Sequence, residues 1–183
     1  MKIKVLSNFV VSKNHLGKAV YAARRFKKGD VVTQFTGPLI HKSDVPLTYK
    51  GEDDRYVQVA KEHYLGPSGE IDDLINHSCD PNTGLQFTDS GILLVATRKI
   101  DVGEEITWDY STTLLDSSWL MLCDCRSSHC RKMIGDFILL ETPIQKKYLR
   151  LGVLPEYILD YMSSPEYQMY TKGIKRLKHG NET

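Results

Sequence analysis

Four cysteines constrain this chain more than any other feature of it. Three are crowded into Cys123-Asp124-Cys125 and Cys130, a C-x-C-x4-C spacing, while Cys79 stands far upstream inside Asn76-His77-Ser78-Cys79-Asp80-Pro81-Asn82. Four thiolates in tetrahedral array are the usual shell of a structural zinc, and such a closed site contributes folding free energy directly. If Cys79 completes the set, any fold must carry that polar string back against the later cluster. Arg126, Arg131 and Lys132 flank the cluster and would offset the negative charge of a zinc tetrathiolate. Four unrelated buried thiols are the plainer alternative, disfavoured by the crowding of three, and His129 is a weaker substitute ligand. A disulfide framework is not expected, because Met1-Lys2-Ile3-Lys4 leads into no apolar signal core.

Composition narrows the function classes. At 183 residues, 41% hydrophobic and 26% charged, the chain has the make-up of an ordinary globular protein near one domain in size. Lys+Arg 24 against Asp+Glu 23 leaves no global basic field, so direct nucleic-acid binding is not expected. No apolar run reaches the roughly 18 residues of a membrane span, so no membrane partner is expected either. The chain reads as intracellular and not secreted, with nothing to separate nucleus from cytoplasm. Local charge is less even. Residues 1–30 hold eight Lys/Arg and one acid, and residues 44–80 hold nine acids and three bases. A solvated acidic face is the plain reading of the second stretch, which gains a use only beside a site for a cationic substrate.

Ile3–Leu6, Ala19–Ala22, Val31–Phe35, Arg55–Ala60, Ile92–Ala96 and Glu105–Trp108 are β-branched or aromatic runs bounded by turn residues, and each reads as a strand. The segment from Arg24 to Val31 echoes the segment from Arg98 to Glu105 in its Arg, apolar, Gly and acid positions. Two similar hairpin-like corners explain that without a repeat architecture. Beyond residue 130 the character turns helical. Thr142 reads as an N-cap, Pro143 as a first helical residue and Gly152 as a stop. Pro155 opens a second helix with Tyr157, Ile158, Tyr161 and Met162 as its apolar face, and Ser164-Pro165-Glu166 opens a third. The tail from Lys175 to Gly180 is basic and reads as a frayed terminus. The expected fold class is mainly β with a helical C-terminal extension.

The string at 76–82 is too polar for a core strand, and Pro81 would stop one. A cysteine-protease reading of His77 with Cys79 lacks a third, orienting group. Downstream stands Gly103-Glu104-Glu105-Ile106-Thr107-Trp108-Asp109-Tyr110, followed by the cysteine cluster. In that order and at those gaps, these motifs closely resemble a SET-domain protein lysine methyltransferase with a post-SET zinc motif. The match runs over about residues 16–137 and includes Gly17-Lys18-Ala19-Val20-Tyr21-Ala22, Lys28-Gly29-Asp30, Gly37, Tyr56 and Cys130-Arg131.

The resemblance implies small curled β-sheets with a pseudoknot where the 76–79 segment meets the chain near 104–110. It implies a SET domain over 1–112, a post-SET zinc-binding segment over 113–137 and a helical extension over 138–183. It implies S-adenosylmethionine on one face and a lysine-bearing peptide, a histone tail or another protein, on the other, joined by a narrow channel. Asn76, His77 and the backbones of Lys18 and Ala19 would contact the cofactor. Tyr110 would stand at methyl transfer, contacting cofactor as well. Tyr56 and Trp108 would line the lysine channel, Tyr56 with a catalytic part. Cys79, Cys123, Cys125 and Cys130 would hold zinc. A catalytically silent, zinc-stapled protein-binding module is the alternative reading.

Four departures from the family pattern bear on that choice. Ala19 replaces a glycine at the cofactor loop, Asp73 stands where many relatives carry Arg, and Arg126 replaces a common Gly in the zinc loop. Trp108 occupies a position held elsewhere by Phe or Tyr. Its missing hydroxyl favours higher methylation, and its bulk favours restriction. No cysteine-rich segment precedes the match in this sequence, so substrate choice is expected to rest on the acidic insert and the C-terminal helices.

Overall fold

The β-branched and aromatic runs form strands of only two to six residues, too short to build one large sheet. The computed structural model describes residues 4–6, 8–46, 55–115 and 119–171. In chain order the strands are β1 (Lys4–Leu6), β2 (Phe9–Asn14), β3 (Gly17–Ala22), β4 (Val31–Phe35), β5 (Leu39–His41), β6 (Val57–Ala60), β7 (His63–Leu65), β8 (Asn76–His77), β9 (Thr83–Thr88), β10 (Gly91–Ala96), β11 (Thr107–Trp108), β12 (Met121–Leu122) and β13 (Met133–Ile134). They pair as β1-β2-β3, β4-β10-β9, β5-β7-β6, β8-β11 and β12-β13. Every pairing is antiparallel except β8 with β11. This is the mainly β fold expected.

Inward residues of the first two sheets meet in one core. Val20 and Ala22 of β3, Val32 and Phe35 of β4, and Leu94 of β10 are buried there with Phe26, Ile100, Ile106 and Trp108. The echoed corners turn out to pair with each other. Phe26 and Ile100 exchange backbone hydrogen bonds of 3.0 and 2.9 Å, and both are fully buried. Gly29 N–H donates to Ala96 O and Gly103 N–H to Ala22 O, both at 2.8 Å. Asp30 caps Lys27 N–H as Glu104 caps Asp101 N–H. The echo is thus a local two-fold: each corner supplies the partners that the other needs. Gly29 and Gly103 take φ of 90° and 84°, the left-handed region that favours glycine.

The helices are α1 (Thr142–Leu151) and α2 (Glu156–Ser163), with a third helical stretch over 165–171. Gly152 stops α1 at φ 64°, as expected, but Thr142 lies inside the helix and Glu141 takes the N-cap position without a side-chain hydrogen bond. Pro143 therefore sits one position later, where a missing N–H still costs nothing. Ser164 Oγ accepts from Tyr167 N–H, capping the third stretch. The helices form more than an appendage. Tyr148, Val153, Leu154 and Ile158 bury with Phe137 against Val95 of β10. Gly84 of β9 lets Val153 approach, since a Cβ there would lie 2.7 Å from Val153 Cγ1. Glu52, Asp53, Asp54 and the basic tail at 175–180 lie outside the described residues.

Candidate active site

The polar string at 76–82 does enter a strand. β8 runs parallel to β11, with Asn76 opposite Thr107 and His77 opposite Trp108. Two residues suffice because side chains complete the ladder. Asn82 Oδ1 accepts from Thr107 N–H at 3.0 Å, its amide donates to Glu105 O at 2.8 Å, and Thr83 Oγ1 donates to Thr107 O at 2.8 Å. Only Asn76 and His77 of the string pair as a strand, and asparagine and threonine side chains replace the backbone partners that a longer strand would supply. Backbone and side chains together stitch the two motifs into the crossing that the fold class implied.

A polar cleft of about 270 Å³ opens on one side of this seam. Asn14, His15, His77, Asn82, Glu105 and Cys125 are among its lining. Asn14 Nδ2 reaches both Glu105 carboxylate oxygens at 2.9 and 3.0 Å. Asn76 Nδ2 donates to Glu105 Oε1 and to Lys18 O, both at 3.0 Å. Glu105 meets no cation within ion-pair distance among the described residues, whereas neighbouring Glu104 pairs with Arg98 at 2.8 Å. Of the expected cofactor contacts, His77 lines this cleft, whereas Asn76, Lys18 and Ala19 do not; Lys18 and Ala19 stand on β3, where Ala19 is fully buried. His15 bridges from the β2–β3 turn to Asp124 O at 2.6 Å.

The other side of the seam carries a largely apolar cavity of about 230 Å³. Phe35, Tyr56, Tyr64, Trp108, Tyr110 and Trp119 supply its rings. Trp108 meets Phe35 edge-on at 5.6 Å and Tyr110 at 4.9 Å, and Tyr110 meets Trp119 at 6.4 Å. Tyr110 is oriented by its hydroxyl, which donates to Ile75 O at 3.0 Å. Asp72 and Asp73 also line this cavity. Asp72 accepts from Thr36 N–H and Ser68 Oγ, while Asp73 accepts from Ser68 and Gly69 N–H and pairs with Arg55. Asp73 thus stands on the aromatic side and braces the loop at 66–70.

His77 and Tyr110 join the two spaces. His77 lines the cleft, Tyr110 lines the cavity, and their rings meet at 5.3 Å. Tyr110 N–H donates to His77 Nδ1 at 3.2 Å, so the proton sits on Nε2, which points at Cys79 Sγ at 3.3 Å. His77 is held neutral, with its pKa lowered to about 4: burial dominates, Asp109 opposes it, and Arg131 adds to it.

Asp109 underlies this junction and is fully buried at its carboxylate. It takes a two-pronged contact from Arg131, both bonds 2.7 Å, and a 2.7 Å hydrogen bond from Tyr148 of α1. Burial beside Asp109 pushes the Tyr148 phenol far above its usual range. Sequence reasoning missed Asp109's partners, along with Trp119 and Tyr64, and it read Glu105 as part of a motif without giving it a role in the cleft. Arg131 was visible as a flanking charge and as the end of the cysteine motif, not as the partner of Asp109.

The cysteines do converge. Cys79 and Cys123 sulfurs lie 3.8 Å apart, the separation that a tetrahedral zinc at about 2.3 Å from each sulfur imposes. His77, Cys79, Cys123 and Cys125 bring their ligand atoms within 4.8 Å of one another. Cys130 packs on the same cluster, its sulfur 3.5 Å from Cys123 O. His77 thus stands in that group where Cys130 was expected, and a protonated Nε2 makes it a donor to Cys79. Arg131 N–H donates to Cys79 Sγ at 3.3 Å, as suits a thiolate. Without metal, burial raises the Cys79 thiol to about 11, against that N–H. At Cys125 burial is outweighed by backbone donors, which bring it down to about 7. His129 is exposed and meets only Ser127 and Ser128 among the hydrogen bonds of the described residues.

Comparison with known proteins agrees with this architecture. The profile of the SET domain matches residues 17–111. A probable histone-lysine N-methyltransferase set-23 of Caenorhabditis briggsae is 30% identical over 142 residues, covering 68% of this chain and 59% of the relative. Human histone-lysine N-methyltransferase 2D is 28% identical over 130 residues, covering 65% of this chain and 2% of the relative. The chain therefore spans about three fifths of the first relative's length and far less of the second's. Among solved structures, KRYPTONITE in complex with mCHH DNA, H3(1-15) peptide and SAH superposes with a TM-score of 0.57 at 21% identity, over 72% of this chain and 30% of that one. With its profile running from β3 through the turn that bears Tyr110, this chain belongs to the SET domain family.

Proposed function

We propose that the chain is an S-adenosylmethionine-dependent protein lysine N-methyltransferase stapled by a structural zinc. The contact between His77 and Tyr110 carries this reading, because it backs a polar cleft directly onto an aromatic cavity. The cleft's make-up fits the cofactor: the Glu105 carboxylate, held by Asn14 and Asn76 but meeting no cation within ion-pair distance among the described residues, suits a molecule bearing sulfonium and ammonium charges. Asn76, His77 and the strand of Lys18 and Ala19 would hold it. Bound there, S-adenosylmethionine would supply an electrophilic methyl group.

The chain's residues supply the rest. A lysine has an unperturbed pKa of about 10.4, so its neutral form costs about 4.6 kcal/mol at neutral pH. Aromatic walls built from Tyr56, Trp108 and Tyr110 desolvate the amine and lower that cost. Tyr110, fixed through Ile75 O, would orient the amine for in-line attack and face the charge in transit. Cys79, Cys123, Cys125 and Cys130 would hold the zinc that fixes the β12–β13 hairpin beside both spaces. We accordingly divide the chain into a SET domain over 1–112, a zinc segment over 113–137 and a helical extension over 138–183.

The relatives' names support a histone tail or another lysine-bearing protein as substrate, and an intracellular setting. Asp72 and Asp73 in the cavity wall support attraction of a basic peptide. The two departures that favoured a silent module weigh less than before. Ala19 is accommodated in a buried strand position, and Asp73 has employment away from the cleft. The test is calorimetric titration of the zinc-loaded protein with S-adenosylmethionine, followed by mass analysis of methyl transfer to basic lysine peptides. Stoichiometric binding and mass gain on lysine are expected, and absence of cofactor binding would leave the silent module.

A further inference from the structure

We propose that the aromatic cavity also retains the methylated product, binding a trimethyllysine side chain in preference to a free lysine. That the cavity takes a lysine side chain at all rests on the function proposed above. The preference rests on what the walls offer. A primary ammonium brings three N–H donors and must find acceptors for them once desolvated; a quaternary ammonium brings none. Among the described residues, the carboxylates and the Ile75 carbonyl of this cavity already hold donors, which leaves mainly phenol oxygens for an incoming ammonium. Ile75 O takes the Tyr110 hydroxyl, Asp72 takes Thr36 N–H and Ser68 Oγ, and Asp73 takes Ser68, Gly69 and Arg55. Trp108 Nε1, buried without a partner among the described residues, is one more donor and no acceptor.

Rings, by contrast, are abundant. Phe35, Tyr56, Tyr64, Trp108, Tyr110 and Trp119 present faces and edges around one space, the arrangement that attracts a diffuse cation. Charge agrees. Asp72 is 5% exposed, lines the cavity, and meets no cation within ion-pair distance among the described residues. A buried carboxylate with hydrogen bonds but no counter-charge favours a cationic occupant. Lys42 and Arg55 also line the space, but Arg55 is directed to Asp73 at 3.6 Å and Lys42 is exposed. The consequence is a protein that holds what it makes, so that trimethylated peptide competes with unmodified substrate.

The chain's only two tryptophans, Trp108 and Trp119, both line the cavity, so intrinsic fluorescence reports occupancy directly. The zinc-loaded protein is titrated with three blocked amino acids: trimethyllysine, lysine, and the uncharged carbon isostere of trimethyllysine with a tert-butyl end. Trimethyllysine is expected to bind at least about tenfold tighter than lysine and several-fold tighter than the isostere. Equal affinity for lysine, equal affinity for the isostere, or no binding of trimethyllysine at millimolar concentration would each overturn the proposal. Asp72→Asn should erase the preference over the uncharged isostere, and Trp119→Leu should weaken the preference over lysine. If either variant fails to fold, the isostere comparison still decides on the unaltered chain. Cofactor titration in parallel separates the two readings. Preference for trimethyllysine without S-adenosylmethionine binding leaves a pure binding module, and methyl transfer without preference leaves an enzyme that releases its product freely.

Discussion

The two spaces that meet at His77 and Tyr110 are built by opposite rules. The polar cleft draws most of its lining from contiguous strings: Asn14 to Leu16, His77 with Ser78, and Glu104 with Glu105. The aromatic cavity takes its six rings from five separate places, and only Trp108 and Tyr110 share a string. Directional bonds account for the difference. An amide or carboxylate works only if its partners stand at fixed distances, and adjacent residues on a strand hold such distances best. A ring contributes by area and face, so any segment that reaches the space can deliver it. Specific polar recognition thus leaves a readable motif, and an apolar cavity leaves almost none.

Metal removal should abolish the comparison altogether, since both spaces lean on the thiol cluster. Cys125 lines the cleft, and Trp119 of the cavity stands two residues before the β12–β13 hairpin that the cluster closes. Chelation or Cys79→Ser should release stoichiometric zinc and eliminate both cofactor and peptide binding, consistent with the roughly 10–16 kcal/mol of structural zinc sites. Retention of either binding function with zinc gone would detach that space from the cluster. Arg131→Ala comes next. It strands the buried Asp109 carboxylate under the junction, and losing one partner of a buried pair costs about 3–5 kcal/mol. Denaturant unfolding should show that loss, with Tyr148→Phe costing less. A change under about 1 kcal/mol would mean that water readily replaces the guanidinium.

What could be read beforehand follows the same division. The four cysteines, the Asn76–Cys79 string and the Glu104–Tyr110 string were visible, because each concentrates its chemistry within a few residues. So were Val31–Phe35 as a strand and Gly152 as a stop. Phe9–Asn14 escaped notice because Ser12, Lys13 and Asn14 break its apolar run. Strands of two or three residues, such as β8 and β13, carry no periodicity to detect. Their existence depends on partners distant in the chain, as β8 depends on Asn82 and Thr83. The corner echo was seen, but nothing in a linear sequence says that two like corners exchange hydrogen bonds. Trp119 had no recognisable neighbours, and Tyr148 reaches Asp109 from a helix that reads as a separate extension.

Tyr110→Phe should disable one side while sparing the other. The ring remains between Trp108 and His77, so the cleft keeps its wall, and S-adenosylmethionine affinity should change by no more than about threefold, worth under 1 kcal/mol. Turnover should fall by about 10²–10³-fold, the usual consequence of losing one positioned hydrogen-bonding group at a reacting centre. Turnover within tenfold of the parent would move the chemistry to another residue, Tyr56 first among them.

Asn14→Ala tests the other side with the smallest change. Asn14 touches both Glu105 oxygens and, through its Oδ1, Leu16 N–H at 2.7 Å, but it lines no part of the aromatic cavity. Its loss frees the carboxylate without unpairing it, since Asn76 still donates to Oε1. About 1 kcal/mol is at stake, or roughly a fivefold weaker hold on S-adenosylmethionine. The Michaelis constant for peptide, measured at saturating cofactor, should stay where it was. If both constants rise together, the seam transmits strain, and the two spaces are one site; if only the cofactor constant rises, the polar string and the scattered rings are independent halves that merely share a wall at His77 and Tyr110.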